Sequence, residues 1–166
     1  MPRGGRPRAG AGRVLVAAVA VATLGLAGLG WLTIVRARTP AVAVSLPAAA
    51  DDPACQRLSA VWPVQVLGLP PRRVSVESPA VRAWGDPAIV AICGYPAPAP
   101  STSGCLTVDG VDWVLQQRSD GVQATTYGRS PAMDVLVPTA YTTDQRVLPA
   151  LSAVARTLPE TGHRCS

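Results

Sequence analysis

Four arginines, Arg3, Arg6, Arg8 and Arg13, stand directly before an apolar run of 22 residues from Val14 to Val35 that contains no ionisable side chain. At a helical rise of about 1.5 Å per residue the run reaches roughly 30 Å, the thickness of a bilayer's hydrocarbon core. A segment of this kind dictates the surroundings of whatever follows it. Residues 1–13 read as a basic cytoplasmic tail and residues 14–35 as a single transmembrane anchor, with the lipid bilayer as its partner and the arginines holding the amino terminus inside. The alternative is a cleaved signal, whose core is only about 7–15 residues and is followed closely by a small-x-small site. Ala41-Val42-Ala43 and Ala48-Ala49-Ala50 have that chemistry, but Arg36, Arg38 and Pro40 intervene and the core is longer. A retained single-pass anchor is therefore favoured over secretion after cleavage, and either outcome delivers the remainder to the extracytoplasmic side.

The net charge of +5 has to be divided along the chain before it means anything. Six of the 15 basic residues lie at or before Arg38, whereas all ten acids follow Thr39, so the part beyond Thr39 carries −1. The basic surplus is topological, and nucleic acid is not an expected partner. Lys, Asn and Phe are absent while Ala, Gly, Pro and Arg abound, the codon signature of a high-GC bacterial genome. Without asparagine there is no glycosylation sequon.

Residues 36–53, rich in Ala, Val and Pro and without a sustained period, read as a tether. Residues 54–166 then form one extracytoplasmic domain, large enough for a modest core that gains from covalent staples. Cys55, Cys93, Cys105 and Cys165 supply them: all four lie beyond the anchor and none forms a CxxC pair. Of the three connectivities, Cys93 with Cys105 and Cys55 with Cys165 are expected. The first closes a stiff loop through Tyr95-Pro96-Ala97-Pro98-Ala99-Pro100, and the second ties the domain's ends together. His163 beside Cys165 lacks zinc-site spacing, so no metal or cofactor is expected.

Asp51 and Asp52 can cap a helix with Pro53 in its first turn, placing Cys55, Leu58 and Trp62 near one face. Strands are expected over 73–76, 88–93, 105–108, 111–118, 122–127 and 133–137. The alternation of Val111, Trp113 and Leu115 with Asp112, Val114 and Gln116 is the clearest period. Asp120-Gly121 reads as a type I′ hairpin turn, and Asp109-Gly110 offers a second turn. Leu148, Leu151, Val154, Ala155 and Leu158 mark a final amphipathic helix. The fold class is α+β: a small, largely antiparallel sheet with helices near both ends of the domain, stapled by disulfides and preceded by the transmembrane helix.

No nucleophile elbow, P-loop, dinucleotide fingerprint or HExxH is present. The unusual segments are Trp84-Gly85-Asp86-Pro87 and Thr126-Tyr127-Gly128-Arg129-Ser130-Pro131. Arg129 with Trp84 and Tyr127, supported by Asp86 and Asp112, would make a shallow ligand site in which a guanidinium grips a carboxylate or phosphate beside an aromatic face. The bland reading is that Arg129 pairs with Asp86 or Asp112 and fastens the loops, while Trp84 and Trp113 fill a core without Phe. No residue has a catalytic assignment.

Taken in order, Arg72-Arg73, Ala83-Trp84-Gly85-Asp86-Pro87, Cys93-Gly94, Gly110-Val111-Asp112-Trp113 and Thr126-Tyr127-Gly128-Arg129-Ser130-Pro131 resemble the actinobacterial domain-of-unknown-function family 3515. The resemblance implies an exported or membrane-anchored envelope protein and carries no activity with it. The expected function is a membrane-anchored extracytoplasmic binding or assembly module of the cell envelope, with an envelope protein or wall polymer as partner. The alternative is an extracytoplasmic hydrolase or transferase that uses carboxylates without a histidine.

Overall fold

The computed structural model describes residues 40–99 and 104–165. The anchor expected over 14–35 lies outside the described residues. Among those described, no helix is long and apolar enough to cross a membrane.

Seven strands form one antiparallel sheet: β1 Pro71–Arg72, β2 Val81–Trp84, β3 Ile89–Tyr95, β4 Cys105–Val108, β5 Val111–Arg118, β6 Gly121–Tyr127 and β7 Ala132–Pro138. Their spatial order is β1-β2-β3-β7-β6-β5-β4. Two helices flank them in sequence, α1 Pro53–Gln56 and α2 Val147–Ala155, so the expected α+β arrangement holds with sheet dominating. Asp52 caps α1 through Oδ1, which accepts from the Ala54 N–H at 2.7 Å, and a 3₁₀ turn, Arg57–Ala60, continues the chain.

Period-two alternation sends side chains to two faces. Trp84, Ile89, Cys93, Trp113, Met133 and Val135 point to the first face and pack with Leu58 and with Leu151 and Val154 of α2. Buried Ser152 of α2 accepts from the Trp113 indole N–H at 3.3 Å, a polar pin through this core. On the second face Val81, Ala83, Val90 and Ile92 are covered by Val42, Val44, Val74 and Val76. The residues covering that face include part of the expected tether. Val42 bridges Val74, the Ser75 N–H donates to the Val42 carbonyl at 2.8 Å, and Ala50 is buried. The described part of the 36–53 stretch is thus laid against the domain, because its valines have an apolar strip to cover.

Two further expectations are corrected. Cys55 is bonded to Cys93 and Cys105 to Cys165. Cys93 on β3 and Cys105 on β4 are separated by β7, β6 and β5, four strand steps or about 19 Å, well beyond the roughly 7 Å a disulfide tolerates. The proline-rich stretch after Tyr95 therefore belongs to the connection between β3 and β4. The type I′ geometry also falls at the other turn. Asp109 and Gly110 both have positive φ, 49° and 76°, between paired Val108 and Val111. At the second hairpin Arg118 pairs with Gly121, leaving Ser119-Asp120 as the loop. Gly121 is required for a different reason: a Cβ there would collide with the Val137 carbonyl oxygen of β7.

Candidate functional site

The five residues singled out by sequence fall into two groups. Trp84 is fully buried on β2; its indole N–H donates to the Pro63 carbonyl at 3.1 Å and its ring meets Trp62 edge-on at 6.0 Å. Asp86, just beyond β2, is exposed and pairs with Arg72 at 3.2 Å. Three strand steps, about 14 Å, separate β2 from β6, where the other group begins.

That second group surrounds the chain's C-terminal segment. Asp112 and Tyr127 face each other across β5 and β6. Asp112 is buried: Oδ1 accepts from the Thr107 hydroxyl and Oδ2 from the Cys165 backbone N–H at 2.9 Å. The Tyr127 ring lies tilted over His163, with centroids 6.1 Å apart. Arg129 is only 4% exposed. Its Nη1 donates to the carbonyls of Leu158 at 2.7 Å and Arg156 at 3.3 Å, and its Nη2 pairs with Glu160 at 2.9 Å. The expected pairing of Arg129 with Asp86 or Asp112 is thus replaced: each of these acids has another partner, and Arg129 grips residues 156–160. The Cys105–Cys165 bond fixes the end of the same segment to β4.

Sequence reasoning passed over an open groove on the first sheet face. α2 packs on that face and reaches β4, and the groove opens beside its first turn. There Leu106, Val108, Leu115 and Val122 line a cleft of about 580 Å³, closed on the helix side by Tyr141 and Leu148. Gln117, Thr142, Asp144 and Gln145 add the polar groups of its lining. Leu106 is 45% exposed, a large apolar side chain in water. Arg146 holds Asp144 firmly, bonding Oδ1 through its backbone N–H and Nε, each at 3.0 Å, and Oδ2 through Nη2 at 2.7 Å. These bonds bring the Asp144 carboxyl down to about 2.

Asp134 on β7 is 4% exposed on the second face. Gln123 Nε2 donates to its Oδ2 at 2.6 Å, while Oδ1 is inaccessible and without a hydrogen-bond partner. Burial raises the Asp134 carboxyl above its ordinary range against the opposing pull of Thr125, Gln123 and Arg118. Tyr95 is raised by its own burial and by the charge of Asp134. Two further clefts open on the surface. One, of about 790 Å³, is lined in part by Arg72, Arg73, Arg82 and Glu77; the other, of about 370 Å³, includes Arg118 and Asp120. Among the described residues, each of these three clefts has a single carboxylate in its lining. Among the described residues no group of three or more His, Cys, Asp and Glu is placed to hold a metal ion.

A family model described as a protein of unknown function (DUF3515) matches residues 14–162. No curated protein and no solved structure matches the chain.

Proposed function

The chain belongs to the DUF3515 family, and from that premise we propose that it is a membrane-anchored extracytoplasmic module that binds or assembles other components of the bacterial cell envelope. The observation that carries this reading is the groove beside α2. An apolar trough of about 580 Å³ whose rim leaves Leu106 in water costs solubility, and such patches persist on folded domains where something covers them. Two disulfides support placement in an oxidising compartment, and the basic, apolar amino-terminal sequence supplies the anchor. Binding is favoured over hydrolysis because paired-carboxylate catalysis needs two acids facing one cavity, about 5–9.5 Å apart. Here Asp112 is committed to Thr107 and the Cys165 N–H, Asp134 lines none of the three clefts, and each cleft has one carboxylate.

The test is site-specific photo-cross-linking of the full chain in native membranes. A photoreactive side chain introduced as Leu106→benzoylphenylalanine should give a discrete adduct that is lost when Leu148→Asp puts a charge in the groove. Adducts indistinguishable from those of a probe at exposed Val64, far from the groove in sequence, would refute binding there.

A further inference from the structure

The chain enters the domain beside one cleft. Ala41 lines the 790 Å³ cleft, and Val42 beside it is bonded to Arg73 and Ser75. Only residues 36–40 separate the apolar run from Ala41. Val35 and Ala41 are six residue steps apart, at most about 22 Å even when fully extended. If residues 14–35 cross the bilayer, as the function proposed above requires, Ala41 cannot lie farther than this from the end of the span.

The charge around this point is opposite to that of the domain. Beyond Thr39 the chain carries −1, so composition does not force a local positive surplus. Yet among the described residues Arg72, Arg73 and Arg82 line the cleft with Glu77, and Asp86 outside it pairs with Arg72. Arg73 and Arg82 are exposed, and Arg72 is held in place by Asp86 and by the Gly85 carbonyl at 2.9 Å. Ser59 and Ser78 add hydroxyls to the lining, and Val74 and Val76 an apolar part.

We propose that this cleft is the domain's membrane-facing surface and receives the phosphates of anionic phospholipid headgroups. Guanidinium forks present paired N–H groups that match phosphate oxygens. Each basic side chain brought to an anionic surface multiplies affinity by about fivefold. The inference rests on the anchored reading, and docking by this face would fix how the domain stands on the bilayer and leave the groove beside α2 for a partner.

The experiment uses the full chain in vesicles of phosphatidylcholine alone or mixed with phosphatidylglycerol, with Ser59→benzoylphenylalanine on the cleft lining as a photoreactive probe. Phosphatidylglycerol should be labelled at least fivefold more than phosphatidylcholine at equal abundance, with the preference falling at high salt. Arg73→Gln with Arg82→Gln should abolish the preference, while Glu77→Gln, which removes the opposing charge, should increase it. Equal labelling of both lipids, or a preference unaltered by all three substitutions, would overturn the proposal. So would loss of labelling to inorganic phosphate beyond that caused by chloride of equal ionic strength, which would mark a site for free phosphate. Failure of the chain to float with vesicles of either composition would instead remove the anchored reading and the proposal with it.

Discussion

Arg129 Nη2 meets Glu160 Oε1 at 2.9 Å, and the same guanidinium donates to the carbonyls of Leu158 and Arg156 from a side chain almost wholly out of water. Glu160 is half exposed and also pairs with Arg164, so the ion pair is screened. The two carbonyls weigh more, since a buried acceptor that loses its donor bears the full cost of desolvation. Lysine has no planar fork to serve them together. Arg129→Lys should therefore lower stability by about 1–3 kcal/mol in urea unfolding, and Glu160→Gln by less than about 1. Equal losses would show that the ion pair and not the carbonyls carries the contact.

The contrast with the sequence reading has a physical basis. β5 was legible because Val111, Trp113 and Leu115 alternate with polar neighbours, and α1 because Asp52 and Pro53 supply a cap and a first turn. β2 was not: Val81, Ala83 and Trp84 are buried on both faces of a four-residue strand, so no period shows. Cysteine pairing depends on strand order, which local pattern does not encode. The same holds for the candidate site. Arg129 stands out in the sequence as a short-loop arginine, but its partners come from 27 to 31 positions away, after α2. The groove had no sequence signal at all, because Leu106 and Leu148 look like core residues until the cleft beside the first turn of α2 is seen.

Peptide mapping without reduction should recover Cys55 linked to Cys93 and Cys105 linked to Cys165. With separations of 38 and 60 residues, the chain-entropy relation gives about 4 kcal/mol for either bond. Burial separates them. Cys55 and Cys93 are wholly inaccessible in the first-face core, whereas Cys105 and Cys165 are half-buried at the β4 edge. Replacing the first pair with serine should thus cost more than replacing the second, because two hydroxyls are also placed in an apolar core. A larger loss from the second pair would contradict that ordering.

The two glycines that follow aspartate should differ in their tolerance of alanine. At Gly110 a Cβ meets open space, so the cost is that of a left-handed conformation, about 1 kcal/mol. At Gly121 the Cβ runs into the Val137 carbonyl, which belongs to the backbone of the neighbouring strand and has little freedom to yield. Gly121→Ala should cost roughly 2–3 kcal/mol and accelerate amide exchange where β6 pairs with β7. Similar losses at the two positions would mean that β7 shifts freely.

Asp134 allows the sharpest pH test, since its Oδ1 is inaccessible and unpartnered while Gln123 bonds only Oδ2. Burial lifts the native carboxyl above the 3.8 of an ordinary aspartate, so the folded chain binds this proton more tightly than the unfolded one. Between 3.8 and the raised native value, stability therefore falls as pH rises, and above that value the penalty is complete. Asp134→Asn abolishes the charge and keeps an oxygen for Gln123. At pH 7 the variant should be more stable than the parent by on the order of 1 kcal/mol, and the advantage should shrink to nothing as pH approaches 3.8. Tyr95, raised in part by the same charge, should ionise at lower pH in the variant. Parallel stability curves with an unmoved tyrosine titration would show that the carboxylate already has a partner in solution, and the buried charge would then carry no cost to relieve.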